Sequence, residues 1–318
     1  LYKVRLLREA GGLGDVLCTL PVAKGWKLRQ PDVEITYVGI RTYRELVEHC
    51  PYVDRWSETS IHRRRPQDGP FDSERYPYLK ETDDADATYS LYCPGWAHEK
   101  EFREKRHKSR IRCFCEASDI YDVPLVVDCY RVTEAEKNWA QGWLDGNWVN
   151  THGIVVGLEP YSTDPLRNWP PEKWRKLAEL LDKAGLNIIS FDHVPRRLRN
   201  FPGALAMRLS FTKVASLIQR CSLMITPDSG LLHFASFLDV PTLSLFGSTN
   251  GWVTCHPYRK THPIFPITEH REGCKPPCQL LPPKEISGKC RQSGCSILNA
   301  IEPEQVFLMA IQMLRAYS

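Results

Sequence analysis

The chain holds 318 residues, 42% hydrophobic and 25% charged, with a formal net charge of +4; this is length enough for two domains with cores of their own and the composition of a soluble globular protein. So small a charge excess argues against nucleic acid as a whole-surface partner. No apolar run reaches the roughly 18 residues of a spanning helix, and the opening LYKVRLL is too short and too charged for a signal peptide, so a cytoplasmic location is expected, with the native start left open because residue 1 is Leu.

Residues 2–7 predict a first strand, followed by a glycine loop in REAGGLGDVLCTLP, residues 8–21. The loop is not a dinucleotide fingerprint: if Gly12 and Gly14 are its first two glycines, the third position is Leu17. An apolar-periodic helix is expected over 15–30, a strand over 33–39 and a helix over 41–50. Residues 59–82 carry Pro, Gly and charge and read as a loop or lid. A strand over 87–92 and a helix over 133–146, with Gly146 as its C-cap, complete a first series. A second opens at GIVVGLEP, residues 153–160. It continues with a helix over 171–183, strands over 186–191 and 204–209, a helix over 212–221 and a strand over 222–228. A helix from Ser229, a strand over 241–247 and a last helix over 304–316 follow. The alternation predicts an α/β fold in two domains, 1–148 and 149–318. Ligands of open α/β sheets sit beyond the carboxyl ends of the strands, so two such sheets facing each other would enclose a cleft.

Two stretches of the second series carry chemistry. In ITPDSGLLHF, residues 225–234, Pro227 stops the strand and Asp228 is placed to cap a helix by accepting the N–H of Gly230 or Leu231. The turn reads either as a well-made helix start or as an anion or ribose site, since free N–H groups and the helix dipole favour a phosphate there. Gly230 would let a ligand approach the backbone, and His233 lies one turn in. In LEPYSTDPLRNWPPEKW, residues 158–174, Ser162, Thr163 and Arg167 follow a strand. Two hydroxyls and a guanidinium suit a diphosphate; the other reading is a solvated loop.

GGLGDVLCTLP, RNWPPEKW and TPDSGLLHFASFLDVPTLSLFGSTN occur in this order and spacing, and through them the chain resembles glycosyltransferase family 9, the ADP-heptose heptosyltransferases of the lipopolysaccharide inner core. The resemblance runs from Lys3 to the last helix and is weakest between residues 59 and 110. It implies a GT-B fold, two Rossmann-like domains facing a central cleft, with an acceptor-binding first domain and a nucleotide-sugar-binding second one closed by a crossing helix. It also implies inverting transfer without a catalytic metal. The loop Gly12, Leu13 and Gly14 would line the acceptor side. Asp15 would be the general base, taking the acceptor hydroxyl's proton as its oxygen attacks the sugar C1; its other reading is a carboxylate at a helix N-terminus. Donor binding would fall to Ser162, Thr163, Arg167, Asp228, Ser229, Gly230, Leu231 and His233, with Arg167 at a position the family often gives to Lys. Where many members place a glycine and a nucleoside-holding glutamate, this chain has DHVPRR, residues 192–197, and Asp192 or His193 could substitute.

Of twelve cysteines, eight are scattered and read mostly as small buried hydrophobes. Cys274, Cys278, Cys290 and Cys295 form C-x3-C-x11-C-x4-C, which could wrap one structural zinc or iron or stand as thiols or two labile disulfides. Asp84 and Asp86 form a D-x-D that reads as a turn and strand start. The basic stretches 61–68 and 98–110 would attract an anionic lipid core or membrane surface, or form a solvated face. The expected partners are thus an ADP-heptose-like donor and a glycan, lipid-linked or protein acceptor, with peripheral contact on the inner membrane face as one option; the oligomeric state is open. An NAD-dependent oxidoreductase is disfavoured by Leu17 and by the absence of an acidic residue after TYVGIR. A metal-stapled nucleotide- or glycan-binding protein without catalysis is the remaining alternative.

Overall fold

The computed structural model describes residues 1–8, 11–59, 84–91, 108–147, 149–150, 152–192, 201–267 and 294–317. Packing divides the chain into two compact units, Leu1–Arg131 and Val132–Ser318. The division falls ahead of the 148/149 boundary expected above. The helix Glu134–Gly146 belongs with the second unit, where Gln141 accepts from Arg220 and Lys213 lies over the Trp139 ring. Thr133 and Glu136 form a capping box at its start. Its C-cap is Asn147, so Gly146 is the last helical residue.

In the first unit, β1 (Lys3–Arg8), β2 (Glu34–Gly39), β3 (Arg55–Glu58) and β4 (Ala87–Ser90) form a parallel sheet in the order β3-β2-β1-β4. Strand order therefore reverses between β1 and β4, a topological switch point. The single helix expected over 15–30 is two, Leu13–Leu17 and Leu20–Arg29. Pro21 lacks the N–H that would bond back to Leu17, and the Thr19 hydroxyl at the break bonds Val16 O (2.6 Å) and Tyr37 Oη (2.7 Å).

The second unit holds β5 (Val155–Leu158), β6 (Asn187–Asp192), β7 (Ala204–Met207), β8 (Leu223–Pro227), β9 (Thr242–Leu245) and β10 (Thr261–Ile264). They form a parallel sheet in the order β10-β9-β8-β5-β6-β7, with its switch point between β5 and β8. β5 and β8 are buried along their whole length, as befits central parallel strands covered on both faces. One core joins Val156, Leu158, Trp169, Trp174, Leu223 and Ile225 to Leu298, Ile301, Val306 and Leu314, so the last helix, Pro303–Tyr317, is built into it. The indole of Trp169 donates to Ile301 O (3.1 Å), and Lys173 Nζ to Asn299 O and Ile301 O (2.8 and 3.0 Å). The NWPPEKW stretch is thus also the clamp for the chain's end.

Candidate functional site

The expected acceptor-loop, base and donor-binding residues lie at or beyond the carboxyl edge of the sheet in their own unit, near its switch point. In the first unit β1 ends at Arg8 and the chain turns through Gly11 into the helix Leu13–Leu17. Gly11 has φ +116°, and a Cβ there would lie 2.7 Å from Asp15 Oδ2, so only glycine fits. Gly12 is the N-cap; Leu13 and Gly14 form the first turn rather than a loop, and Asp15 is its third residue. Asp15 Oδ2 accepts the Gly12 N–H (2.9 Å), the helix-terminal role weighed above. The same oxygen is 3.7 Å from Arg8, and Oδ1 is bonded by Arg110. Arg8 is buried over the Phe114 ring and donates to Leu91 O (2.7 Å) just past β4. Its guanidinium spans the switch point between the two strand ends. The Asp15 side chain keeps 21% exposure, enough to meet a solvent-borne group. Nearby, Tyr43 Oη donates to Gly11 O (3.2 Å), and burial with the Asp15 charge raises its pKa.

In the second unit three loops meet beyond β5, β8 and β9. Arg167 Nη1 donates to Asp228 O (3.1 Å) and lies 3.5 Å from its carboxylate; Thr249 Oγ1 donates to Asp228 Oδ2 (2.7 Å), and Ser248 Oγ to Leu166 O (3.5 Å). Asp228 is therefore not the helix cap expected above: Thr249 and Arg167 engage its oxygens. The N-cap of the helix Gly230–Phe237 is Ser229, which makes no side-chain cap bond; its hydroxyl donates instead to buried Glu159. The first-turn N–H groups of this helix thus lack a side-chain acceptor at the cap position, which favours an anion. Leu231 packs its side chain in the interior, so any part in donor binding rests on its backbone. His233 Nδ1 is hydrogen-bonded to the Tyr258 hydroxyl. Ser162 N donates to Asn168 Oδ1 (2.6 Å), its Oγ accepts from Asp164 N (3.3 Å), and Thr163 is exposed on the same loop.

Arg167, Asp228, Ser229 and Gly230 are brought together by these loops; Ser162 and Thr163 share Arg167's loop, and His233 faces Tyr258. Sequence reasoning missed Glu159, Thr249, Arg8 and Arg110. Glu159 stands directly after β5 and Thr249 in the loop that follows β9, and that placement was their signal; Arg110, 95 residues from Asp15, was legible only as the end of a basic stretch. Asp192 is buried at the carboxyl end of β6, while His193 lies outside the described residues. Asp84 pairs with Lys3 and Arg5, and Asp86 accepts the Lys3 N–H (2.7 Å), the turn and strand-start role read for this pair. Cys295 is 3% exposed in the core, close against Gly247; Cys274, Cys278 and Cys290 lie outside the described residues. Among the described residues no helix is long and apolar enough to cross a membrane.

Residues 82–279 match the profile of glycosyltransferase family 9 (heptosyltransferase). The chain is 30% identical over 114 residues to lipooligosaccharide heptosyltransferase 2 of Haemophilus influenzae, covering 31% of this chain and 33% of that protein; it thus spans about a third of the length of this curated relative. By structure it is similar to Escherichia coli ADP-heptose lps heptosyltransferase II, with TM-score 0.71 and 17% identity over 99% of both chains. It is also similar to the iron-containing dodecameric glycosyltransferase TibC of enterotoxigenic E. coli, with TM-score 0.62 and 15% identity over all of this chain and 77% of that one. These likenesses bear out the mixed α/β, GT-B fold class.

Proposed function

Because the chain belongs to glycosyltransferase family 9 (heptosyltransferase), we propose that it moves a sugar, heptose or a close relative, from a nucleoside-diphosphate donor of the ADP-heptose kind to a hydroxyl of a glycan, lipid-linked or protein acceptor. The observation that carries this reading is the convergence of Arg167, Asp228 and the uncapped start of the helix Gly230–Phe237 at the switch point of the second sheet. A diphosphate there would meet a guanidinium and helix N–H groups, which stabilise the charge that grows on the leaving group. The second unit is accordingly the donor domain and the first the acceptor domain.

Asp15 acts as the base. As the acceptor oxygen bonds to C1 of the sugar, its proton passes to the Asp15 carboxylate, the C1–O bond to the diphosphate breaks, and the electron pair leaves on the phosphate oxygen; attack from the opposite face inverts C1. A sugar hydroxyl is too weak an acid to ionise first, so removal of the proton accompanies attack. Gly12 N–H, Arg8 and Arg110 aim the carboxylate and offset its charge. The test is diphosphate release from ADP-heptose and other nucleotide sugars, with and without acceptor. Acceptor-dependent release supports the proposal; binding without release, even with acceptor, would favour the non-catalytic binding protein.

Cys274, Cys278, Cys290 and Cys295 are proposed to hold a structural zinc or iron, a choice that four thiolates fit by softness and that the likeness to iron-containing TibC supports. Cys295 directly precedes the helix Ser296–Asn299, whose end Lys173 grips, so the metal would pin the approach to the last helix. The cellular site proposed is the cytoplasm, with peripheral contact on the inner membrane face for a lipid-linked acceptor.

A further inference from the structure

One buried ionisable group has no part in the proposed transfer. Glu159 directly follows β5, is 3% exposed, and its N–H donates to Ile225 O of β8 (3.0 Å), which seats it between the two strands at the switch point. Its Oε2 accepts from Ser229, the N-cap of the helix whose first turn is the proposed diphosphate site. The charged neighbour acting on it is Asp228, an anion, itself paired with Arg167 and bonded by Thr249; burial, and then the same Asp228 charge, also raise the pKa of the Cys255 thiol. Among the described residues Glu159 makes no ion pair. An ionised carboxylate here would stand uncompensated in a low-dielectric pocket, next to a second carboxylate and beneath a site meant for an anion. Each of these disfavours the charge.

We propose that Glu159 is a positioning residue that works as a neutral carboxylic acid: through Ser229 it sets the first turn of the helix Gly230–Phe237 for a nucleoside diphosphate, and loss of its proton weakens that grip. Burial, first, and then the Asp228 charge push its pKa up, to about 8, against the opposing pull of the Ser229 hydrogen bond. Near neutral pH the acid form prevails. In alkali a negative charge appears under the diphosphate, and donor affinity falls as pH rises. The inference deepens the donor site proposed above and rests on it.

The test is calorimetric titration of the full chain with ADP from pH 7 to 9.5; the terminal phosphate of ADP finishes ionising at the low end of this range, a change common to wild type and variant, so the difference between their curves is what is read. Wild type should lose about tenfold in affinity across it, as expected for one proton tied to one charged ligand. Glu159→Gln, isosteric and neutral at every pH, should bind within a fewfold of wild type at pH 7 and hold that affinity to pH 9.5. Parallel pH curves for the two proteins would overturn the proposal while ADP binding itself upheld the donor site; no ADP binding at any pH would overturn both. Carboxyl carbon NMR of wild type labelled at glutamate needs no variant: a Glu159 signal still protonated at pH 7 supports the proposal, and one already ionised overturns it.

Discussion

Asp15, the proposed base, also has a structural task. It caps its own helix through Gly12 N–H and is gripped by two guanidiniums contributed by β1 and by the helix Arg110–Glu116. The turn that delivers it depends on Gly11: any side chain there must hold a positive φ and displace Asp15. Gly11→Ala is expected to cost about 1–3 kcal/mol of stability, read by urea denaturation, and to lower transfer beyond what the loss of folded protein explains. Glu159 bears on stability as well. Its folded pKa of about 8 lies above the unfolded value near 4.5, so the folded chain holds the proton more tightly. Its contribution is complete below about pH 4.5 and lost as pH rises to about 8, roughly 3–5 kcal/mol in all. Glu159→Gln should therefore melt increasingly above wild type between pH 5 and 8 and by a constant margin beyond; a margin independent of pH would contradict a raised pKa.

Among elements, those with a strong local signal were legible in the sequence. The run VVGL predicts β5 by its apolar, β-branched content, and the helix read over 133–146 is found at Glu134–Gly146, where the structure adds the capping box of Thr133 and Glu136. Thr133→Ala should cost about 1 kcal/mol by chemical denaturation. Where the chain depends on partners distant in sequence, the signal fades. β3 (RWSE) and β10 (THPI) are short and carry polar residues or proline; they are strands because β2 and β9 offer them parallel edges. Asp228 looked like a cap because Asp before a helix usually is one; Thr249 and Arg167 redirect it, and neither contact can be read from spacing alone. The Trp169 clamp is similarly long-range. Trp169→Phe removes the indole donor to Ile301 O and should destabilise the chain by about 1–3 kcal/mol, with a loosened last helix visible as faster amide exchange in Pro303–Tyr317.

At the scale of the whole molecule, two units with parallel sheets each place their candidate site residues at the reversal of strand order, the position open α/β folds offer to ligands. The order of the glycine loop, the RNWPPEKW stretch and the PDSG turn identified the family and hence this architecture from sequence; the unit boundary was less legible because the helix Glu134–Gly146 packs forward rather than back. The metal proposed for the cysteine cluster belongs to this scale too. Purified protein should carry about one zinc or iron per chain by elemental analysis, and its removal by a chelator should lower the melting temperature; a metal-free protein that melts unchanged would contradict a structural metal. The central claim, that Asp15 takes the acceptor's proton, is tested most directly by Asp15→Asn, comparing ADP affinity with the rate of sugar transfer to acceptor. The account predicts ADP affinity within a fewfold of wild type and transfer slowed by roughly 10²–10⁴-fold; transfer at the wild-type rate would contradict it.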